Sequence, residues 1–271
     1  MNSTQAPDRY AVFGNPIAHS QSPRIHALFA AQTGQDLTYD ALLAPVDGFA
    51  GAVAAYAAAG GRGANVTVPF KEEAFRLAGE PTARARAAGA VNTLSFEGAV
   101  IRGDNTDGAG LVRDIVVNLG LPIAGRRVLL LGAGGAARGV LLPLVNETPS
   151  RLVIANRSED KALQLAANFP GTTGCGFAAL AGQRFDIVVN ATSAGLTGSA
   201  LPLDDSLFAS GCLAYEMVYG KQTPFMALAL LAGATVVDGL GMLVEQAAEA
   251  FFVWRGVRPQ TAPVLQLLRQ A

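Results

Sequence analysis

The segment from Arg126 to Ser158 constrains the fold of this chain most strongly. Residues 128–131 form a continuous apolar run, which a parallel strand needs when helices cover both faces of its sheet. Gly132, Ala133, Gly134, Gly135, Ala136 and Ala137 follow directly and match the pattern G-x-G-x-x-G/A. Because glycines permit a tight turn, a pyrophosphate can bind the N–H groups that begin the next helix. The segment therefore predicts a Rossmann-type dinucleotide-binding unit.

The end of the next predicted strand indicates which dinucleotide binds. A second apolar run at residues 152–155 leads into Asn156, Arg157 and Ser158. An NAD site commonly places Asp or Glu here for the ribose hydroxyls, whereas a guanidinium suits a 2′-phosphate. The sequence therefore favours NADP. Two alternatives remain open: a tight strand–helix turn in another α/β protein, and Arg157 as a solvated surface charge.

Composition excludes several other classes of protein. Hydrophobic residues make up 51% of the 271 and charged residues 15%, which is enough apolar side chain for a large core. The net charge of −1 gives no basic surface for nucleic acid or for an acidic membrane. The polar N-terminus lacks a secretory signal, and no apolar run reaches the roughly 18 residues of a membrane span. Two cysteines and two histidines without ligand spacing predict no metal site, and we expect a cytoplasmic protein.

Strands and helices alternate on both sides of the glycine turn. Residues 10–13 and 37–43 are predicted strands before it, and residues 185–189 form one after it. A helix predicted over residues 106–119 links the halves, and further helices follow residue 240. This order predicts an α/β protein with two α/β domains. The first comprises residues 1–106 with the C-terminal helices 240–271 packing back on it, and the Rossmann-type domain comprises residues 107–239.

Polar blocks follow the predicted strands, where open α/β sheets place their ligands. They are GNPIAHSQSP (14–23), NVTVPFK (65–71), GAVNT (89–93) and GDNTDG (103–108). Later blocks are GAGGA (132–136), NRS (156–158), NATS (190–193) and DGLGM (238–242). In this order, from about Tyr10 to the C-terminus, the chain resembles the shikimate dehydrogenase family.

The resemblance implies that Lys71 and Asp107 are the catalytic pair. Reducing a ketone requires a hydride on carbon and a proton on oxygen, and a lysine ammonium can donate that proton while its neutral amine accepts it in the reverse direction. Asp107 can hold the lysine and bind the same hydroxyl. Which of the two carries the proton stays open, because opposite charges in contact fix each other's protonation. The alternative is an ordinary surface ion pair.

The resemblance also implies the remaining site residues. Ser20 and Ser22 correspond to the carboxylate-binding hydroxyls, although Ser22 also fits a helix N-cap. The substrate ring is assigned to Thr67, Asn92, Gln246 and Tyr219. The cofactor is assigned to Gly132, Ala133, Gly134, Gly135, Ala136, Asn156, Arg157, Ser158 and Lys161, with Met217 and Gly239 lining the nicotinamide. Two positions depart from the family: Glu216 stands where Asp is expected, and Lys161 replaces a second phosphate-binding arginine.

The expected activity is the reversible reduction of 3-dehydroshikimate to shikimate by NADPH, in the synthesis of aromatic amino acids. One alternative is a quinate/shikimate dehydrogenase that uses NAD or both cofactors. Another is a non-catalytic protein that senses or binds nucleotides on the same scaffold, which we would expect to lack Lys71 and Asp107. A monomer or homodimer is expected, with only small molecules as partners.

Overall fold

Two six-stranded sheets organise the chain in a computed structural model that describes residues 6–270. The chain divides into two compact units. The first unit extends to Gly110 and includes the chain from Val244 onward, and the second unit is Leu111–Leu243. Within residues 6–270 no helix combines the length and apolar character needed to cross a bilayer.

The first unit begins with six strands and five helices. The strands are β1 (Asp8–Gly14), β2 (Leu37–Leu43), β3 (Gly61–Val66), β4 (Glu80–Pro81), β5 (Thr93–Glu97) and β6 (Val100–Asp104). The helices are α1 (Ser22–Thr33), α2 (Phe49–Ala58), α3 (Lys71–Leu77), α4 (Ala83–Ala88) and α5 (Asp107–Arg113), the last of which continues into the second unit.

The register of this first sheet gathers the polar blocks at one edge. The strand order is β2-β1-β3-β5-β6-β4, with β1 parallel to β2 and β3, and β5 antiparallel to β3 and β6. Asn65 near the end of β3 pairs with Thr93 at the start of β5, and Thr93 pairs with Asp104 at the end of β6. The antiparallel hairpin therefore brings the ends of β3 and β6 and the start of β5 to one edge.

The second unit contains the Rossmann sheet. The unit begins with the end of α5, which a π-helical segment, Asp114–Asn118, follows. The strands are β7 (Arg127–Leu131), β8 (Arg151–Asn156), β9 (Thr172–Gly176), β10 (Phe185–Asn190), β11 (Phe208–Glu216) and β12 (Thr235–Val237). The helices are α6 (Gly135–Asn146), α7 (Glu159–Ala167), α8 (Ala194–Thr197) and α9 (Pro224–Leu231), with 3₁₀ turns at Phe177–Leu180 and Asp205–Leu207.

The order of this second sheet indicates where a ligand would bind. All its neighbouring strands are parallel, in the order β12-β11-β10-β7-β8-β9. Counted from β7, this is the doubly wound order 3-2-1-4-5-6, in which ligands bind at the carboxyl edge where the winding direction reverses. That point lies between β7 and β10. The prediction of two α/β domains, one of them Rossmann-type, is confirmed.

The C-terminal helices α10 (Leu240–Arg255) and α11 (Ala262–Arg269) complete the chain. From Val244 onward they belong to the first unit. Trp254 stacks on Tyr10 with ring centroids 4.7 Å apart, and its indole N–H donates to the carbonyl of Leu94 at 3.0 Å. Arg255 pairs with Asp8 at 2.5 Å. These contacts confirm that the last helices pack back on the N-terminal sheet.

Two local predictions were wrong. Ser22 is not the N-cap of α1: the helix begins at Ser22 itself, and the capping position is Gln21, whose backbone is already helical. The predicted linking helix over residues 106–119 is not one regular α-helix either. It is α-helical only to Arg113 and then widens into the π-helical turn Asp114–Asn118. Such turns are rare and often mark functional sites.

Candidate active site

Lys71 and Asp107 are in direct contact. The Lys71 ammonium lies 2.5 Å from Oδ2 of Asp107, and the two side chains are 24% and 9% exposed. Asp107 begins α5, where a carboxylate is favourable, but Lys71 begins α3, where the helix dipole disfavours a cation. Helix stability therefore does not explain the position of Lys71, whose ammonium group is instead paired with the Asp107 carboxylate.

Asn92 orients the carboxylate of this pair. Its amide N–H donates to Oδ1 of Asp107 at 2.8 Å and to the hydroxyl of Thr106 at 3.0 Å. Its carbonyl oxygen accepts from the backbone N–H of Thr106 at 2.8 Å. The same amide lies 3.3 Å from Oε1 of Gln246 on α10. Four predicted site residues, Lys71, Asp107, Asn92 and Gln246, therefore belong to one hydrogen-bonded network.

A partly buried ion-pair cluster fixes the chain next to that network. Arg84 on α4 binds both carboxylate oxygens of Asp104, at 2.6 and 2.7 Å, and reaches Glu249 on α10 at 3.0 Å. Burial alone would raise the pKa of Asp104, but the Arg84 guanidinium outweighs it and holds this pKa below its ordinary value. The cluster ties the loop before Asp107 to the helix that carries Gln246.

The other predicted substrate residues of this unit lie in neighbouring loops. The hydroxyl of Ser20 accepts from the backbone N–H of Ser22 at 3.3 Å, and Ser22 is buried. Thr67 follows β3, and its N–H donates to the carbonyl of Phe13 at 2.9 Å. Among residues 6–270 no hydrogen bond joins these three side chains to Lys71 or Asp107. They lie outside the network described above.

Gly132 shapes the predicted phosphate-binding turn of the second unit. Its φ of +109° is strained for other residues, and an added Cβ would lie 3.1 Å from the carbonyl oxygen of Ala191. Ala191 follows β10, so the turn sits at the point where the winding of the sheet reverses. Above Gly134 and Gly135 an added Cβ would meet no atom within 4 Å. The helix N-terminus is therefore open to an anion.

The residues predicted to select NADP lie at the end of β8 and directly after it. Asn156 ends the strand and donates to the carbonyl of Ser158 at 3.0 Å, which turns the chain into α7. Arg157 and Lys161 are both exposed. This donor set suits NADP: α6 has no side-chain cap competing for its first N–H groups, and a guanidinium stands one strand away from the glycine turn.

Met217 and Gly239 lie in adjoining segments. The N–H of Met217 donates to the carbonyl of Asn190 at 3.1 Å, and the N–H of Gly239 donates to the carbonyl of Val218 at 3.2 Å. Tyr219 follows in the same loop and is half-buried, and this burial raises its pKa. These residues belong to the second unit, like the glycine turn.

Sequence reasoning missed a buried pair that fixes this segment. The hydroxyl of Tyr215 donates to Asp114 in the π-helical turn at 2.6 Å and accepts from the N–H of Met242 at 3.2 Å. Burial and the nearby Asp114 carboxylate raise the pKa of Tyr215 well above its ordinary value. The one local sign of a role for Asp114 is that an acidic residue stands within an apolar helix pattern. Glu249 of the Arg84 cluster shows the same sign.

The fold and these groups together define a nicotinamide-dependent oxidoreductase that acts on a polar alcohol or ketone. Three family descriptions match successive parts of the chain: the shikimate dehydrogenase substrate binding domain over residues 12–94, shikimate/quinate 5-dehydrogenase over 116–197, and the shikimate 5'-dehydrogenase C-terminal domain over 239–269. The chain belongs to the shikimate dehydrogenase family.

Individual relatives agree over nearly the whole length. The chain is 63% identical over 267 residues to a shikimate dehydrogenase (NADP(+)) of Dechloromonas aromatica, covering 97% of each protein. A solved enzyme of Pseudomonas putida is 51% identical, with a TM-score of 0.92 and coverage of 96% and 98%. A shikimate 5-dehydrogenase of Thermus thermophilus, solved in complex with NADP(H) and shikimate, is 34% identical, with a TM-score of 0.87 and coverage of 97% and 99%.

Proposed function

We propose that this chain interconverts 3-dehydroshikimate and shikimate with NADP(H), a step in aromatic amino-acid biosynthesis. The observation that carries the proposal is the 2.5 Å contact between Lys71 and Asp107, joined through Asn92 to Gln246. The names of the Dechloromonas and Thermus relatives support both the substrate and the cofactor.

The chemistry follows from that pair. NADPH supplies a hydride to the carbonyl carbon when it is bound. The Lys71 ammonium donates a proton to the carbonyl oxygen, so a C–H and an O–H bond form as the C=O double bond becomes single. In the oxidative direction the neutral amine of Lys71 takes the hydroxyl proton. Asp107 keeps the amine at the reacting oxygen, and Asn92 holds Asp107 in turn.

The other contacts are divided between the two domains predicted from the sequence. Residues 1–106 with 240–271 are proposed to bind the substrate: Ser20 and Ser22 hold its carboxylate, while Thr67, Asn92 and Gln246 hold its ring hydroxyls. Residues 107–239 are proposed to bind NADP and to contribute Tyr219 to the substrate. A cytoplasmic location and a monomeric or homodimeric state stay predictions.

Arg157 gives a test of cofactor choice. Arg157→Ala should raise the KM for NADP by about 10-fold or more, because one charge-assisted contact to the 2′-phosphate is worth roughly 1.5–3 kcal/mol. The KM for NAD should change little. Arg151→Ala, at the other end of the same strand, is the matched control and should alter neither value. Equal effects of Arg157→Ala on both cofactors would remove Arg157 from the 2′-phosphate role.

Steady-state rates with shikimate and quinate, each with NADP and NAD, test the proposed function. We expect the highest kcat/KM for shikimate with NADP. A comparable value for quinate with NAD would establish the quinate/shikimate alternative. No turnover with any pair, despite NADP binding, would establish the non-catalytic alternative.

A further inference from the structure

Glu216 is a fully buried carboxylate at the end of β11, with 0% of its surface exposed. One oxygen accepts from the Asn190 amide and from the Thr223 hydroxyl, both at 2.8 Å. The other oxygen accepts from the backbone N–H of Val218 at 3.2 Å. Burying a carboxylate is costly unless hydrogen bonds compensate it, and here three donors converge on one side chain.

The three donors come from three different segments. Asn190 ends β10, and its side-chain oxygen Oδ1 also accepts from the N–H and the hydroxyl of Thr192, at 3.1 and 2.8 Å. Val218 lies in the loop that follows β11. Thr223 is the N-cap of α9, accepting from the N–H of Met226 at 3.3 Å. A single carboxylate therefore sets the positions of the β10 loop, the β11 loop and the start of α9.

Those segments adjoin the two residues that the family resemblance assigns to the nicotinamide. Met217 lies between Glu216 and Val218, and its N–H bonds to the carbonyl of Asn190. The carbonyl of Val218 in turn accepts from the N–H of Gly239. Both Met217 and Gly239 are thus one hydrogen bond away from residues that Glu216 anchors. A displacement of Glu216 would move both of them.

Gly195 explains how a glutamate fits where the family resemblance leads us to expect an aspartate. A Cβ added at Gly195 would lie 3.2 Å from both carboxylate oxygens of Glu216, and 3.1 Å from Val218. The missing side chain leaves room for the extra methylene group of glutamate. An aspartate in its place would reach less far, by about one carbon–carbon bond of 1.5 Å.

We propose that Glu216 is a positioning residue that fixes the nicotinamide end of the NADP site. This rests on the proposed function, since the family resemblance assigns Met217 and Gly239 to the nicotinamide of the NADP that the chain is proposed to bind. Glu216 does not touch the reacting atoms. It aligns the backbone on which hydride transfer depends, and a misplacement of about 1 Å can cost on the order of 10²-fold in rate.

Glu216→Gln and Glu216→Asp test the proposal. The glutamine must turn an N–H₂ group toward at least one of the three donors, and the aspartate cannot reach all three. We expect kcat to fall by roughly 10²-fold and the Kd for NADP, measured by calorimetry, to rise. In the protein without NADP, amide hydrogen exchange at Val218 should become faster. Gly195→Ala, which presses on the same carboxylate, should shift these quantities in the same direction by less.

Asp186→Asn is the matched control. Asp186 lies near the start of β10, at the opposite end of the strand from Asn190, and it pairs with Arg127 at 2.6 Å. It should lower the melting temperature while kcat and the Kd for NADP stay at wild-type values. The proposal is overturned if the Glu216 variants keep wild-type kcat and NADP affinity, or if they lose activity only in proportion to melting temperature, as the control does. Absence of wild-type shikimate oxidation would instead refute the proposed function, and exchange at Val218 would still report whether Glu216 anchors the loop.

Discussion

Replacing Lys71 with alanine should lower the turnover number for shikimate oxidation by roughly 10²–10⁴-fold, the range for a positioned acid–base group. The expectation follows from the proposed role of Lys71 as the proton donor, a role that its 2.5 Å contact with Asp107 supports. The turnover number is measured from the formation of NADPH, by stopped-flow or steady-state kinetics.

Two variants accompany this measurement. Arg76→Ala removes an exposed cation from the same helix, α3, and should leave turnover near the wild-type value. Asp107→Asn keeps the shape of the side chain but removes the charge that orients Lys71, so its turnover should also fall. If Lys71→Ala retained near-normal turnover, the proton donor would have to be another group.

His26 should make the protein markedly less stable as the pH falls below about 6.5. The ring is buried between Tyr39, at a centroid distance of 4.1 Å, and Trp254, at 5.6 Å. Burial lowers the pKa of His26 from 6.5 to about 3, and the nearby Asn65 offsets this only in part, since neither ring nitrogen has a hydrogen-bond partner within residues 6–270. The folded protein therefore keeps His26 neutral where the unfolded chain protonates it.

The sign and size of this effect follow from proton linkage. Between about pH 6.5 and 3 the unfolded state binds the extra proton, so lowering the pH by one unit decreases the free energy of unfolding by up to about 1.4 kcal/mol. Urea titrations at pH 6.0 and 5.0 measure the slope in a range where carboxylates contribute little. His26→Leu should flatten it, whereas His19→Leu, at an exposed position, should leave it unchanged. An equal slope in the wild type and in His26→Leu would show that the burial of His26 is not the cause.

The Rossmann unit could be predicted from sequence because its determinants are local. A buried strand, a glycine turn and a helix follow one another between Arg127 and Asn146, and each is visible as a short pattern. The polar blocks of the first unit could also be found, since each follows a strand. The convergence of these blocks at one edge of the sheet could not be predicted, because it depends on strand pairing that places Thr93 opposite both Asn65 and Asp104.

The supporting side chains could not be predicted because their partners are distant in sequence. Arg84 meets Glu249 across 165 residues, and Tyr215 meets Asp114 across 101. No periodicity links such pairs, so an acidic residue in an apolar pattern is the only local sign. The prediction of Ser22 as an N-cap was wrong for the opposite reason. A local N-cap pattern was present, but the helix begins one residue earlier than the pattern implies.

The most direct test of the account is calorimetric titration of shikimate into Lys71→Ala. If Lys71 acts mainly in the transition state, the variant that has lost turnover should still bind shikimate, with a Kd within about 10-fold of the wild type, because the other hydroxyl and amide groups still hold the carboxylate and ring. Direct binding is needed because KM equals a dissociation constant only when chemistry is slow. Loss of shikimate binding in parallel with turnover would contradict the account and make Lys71 a binding residue.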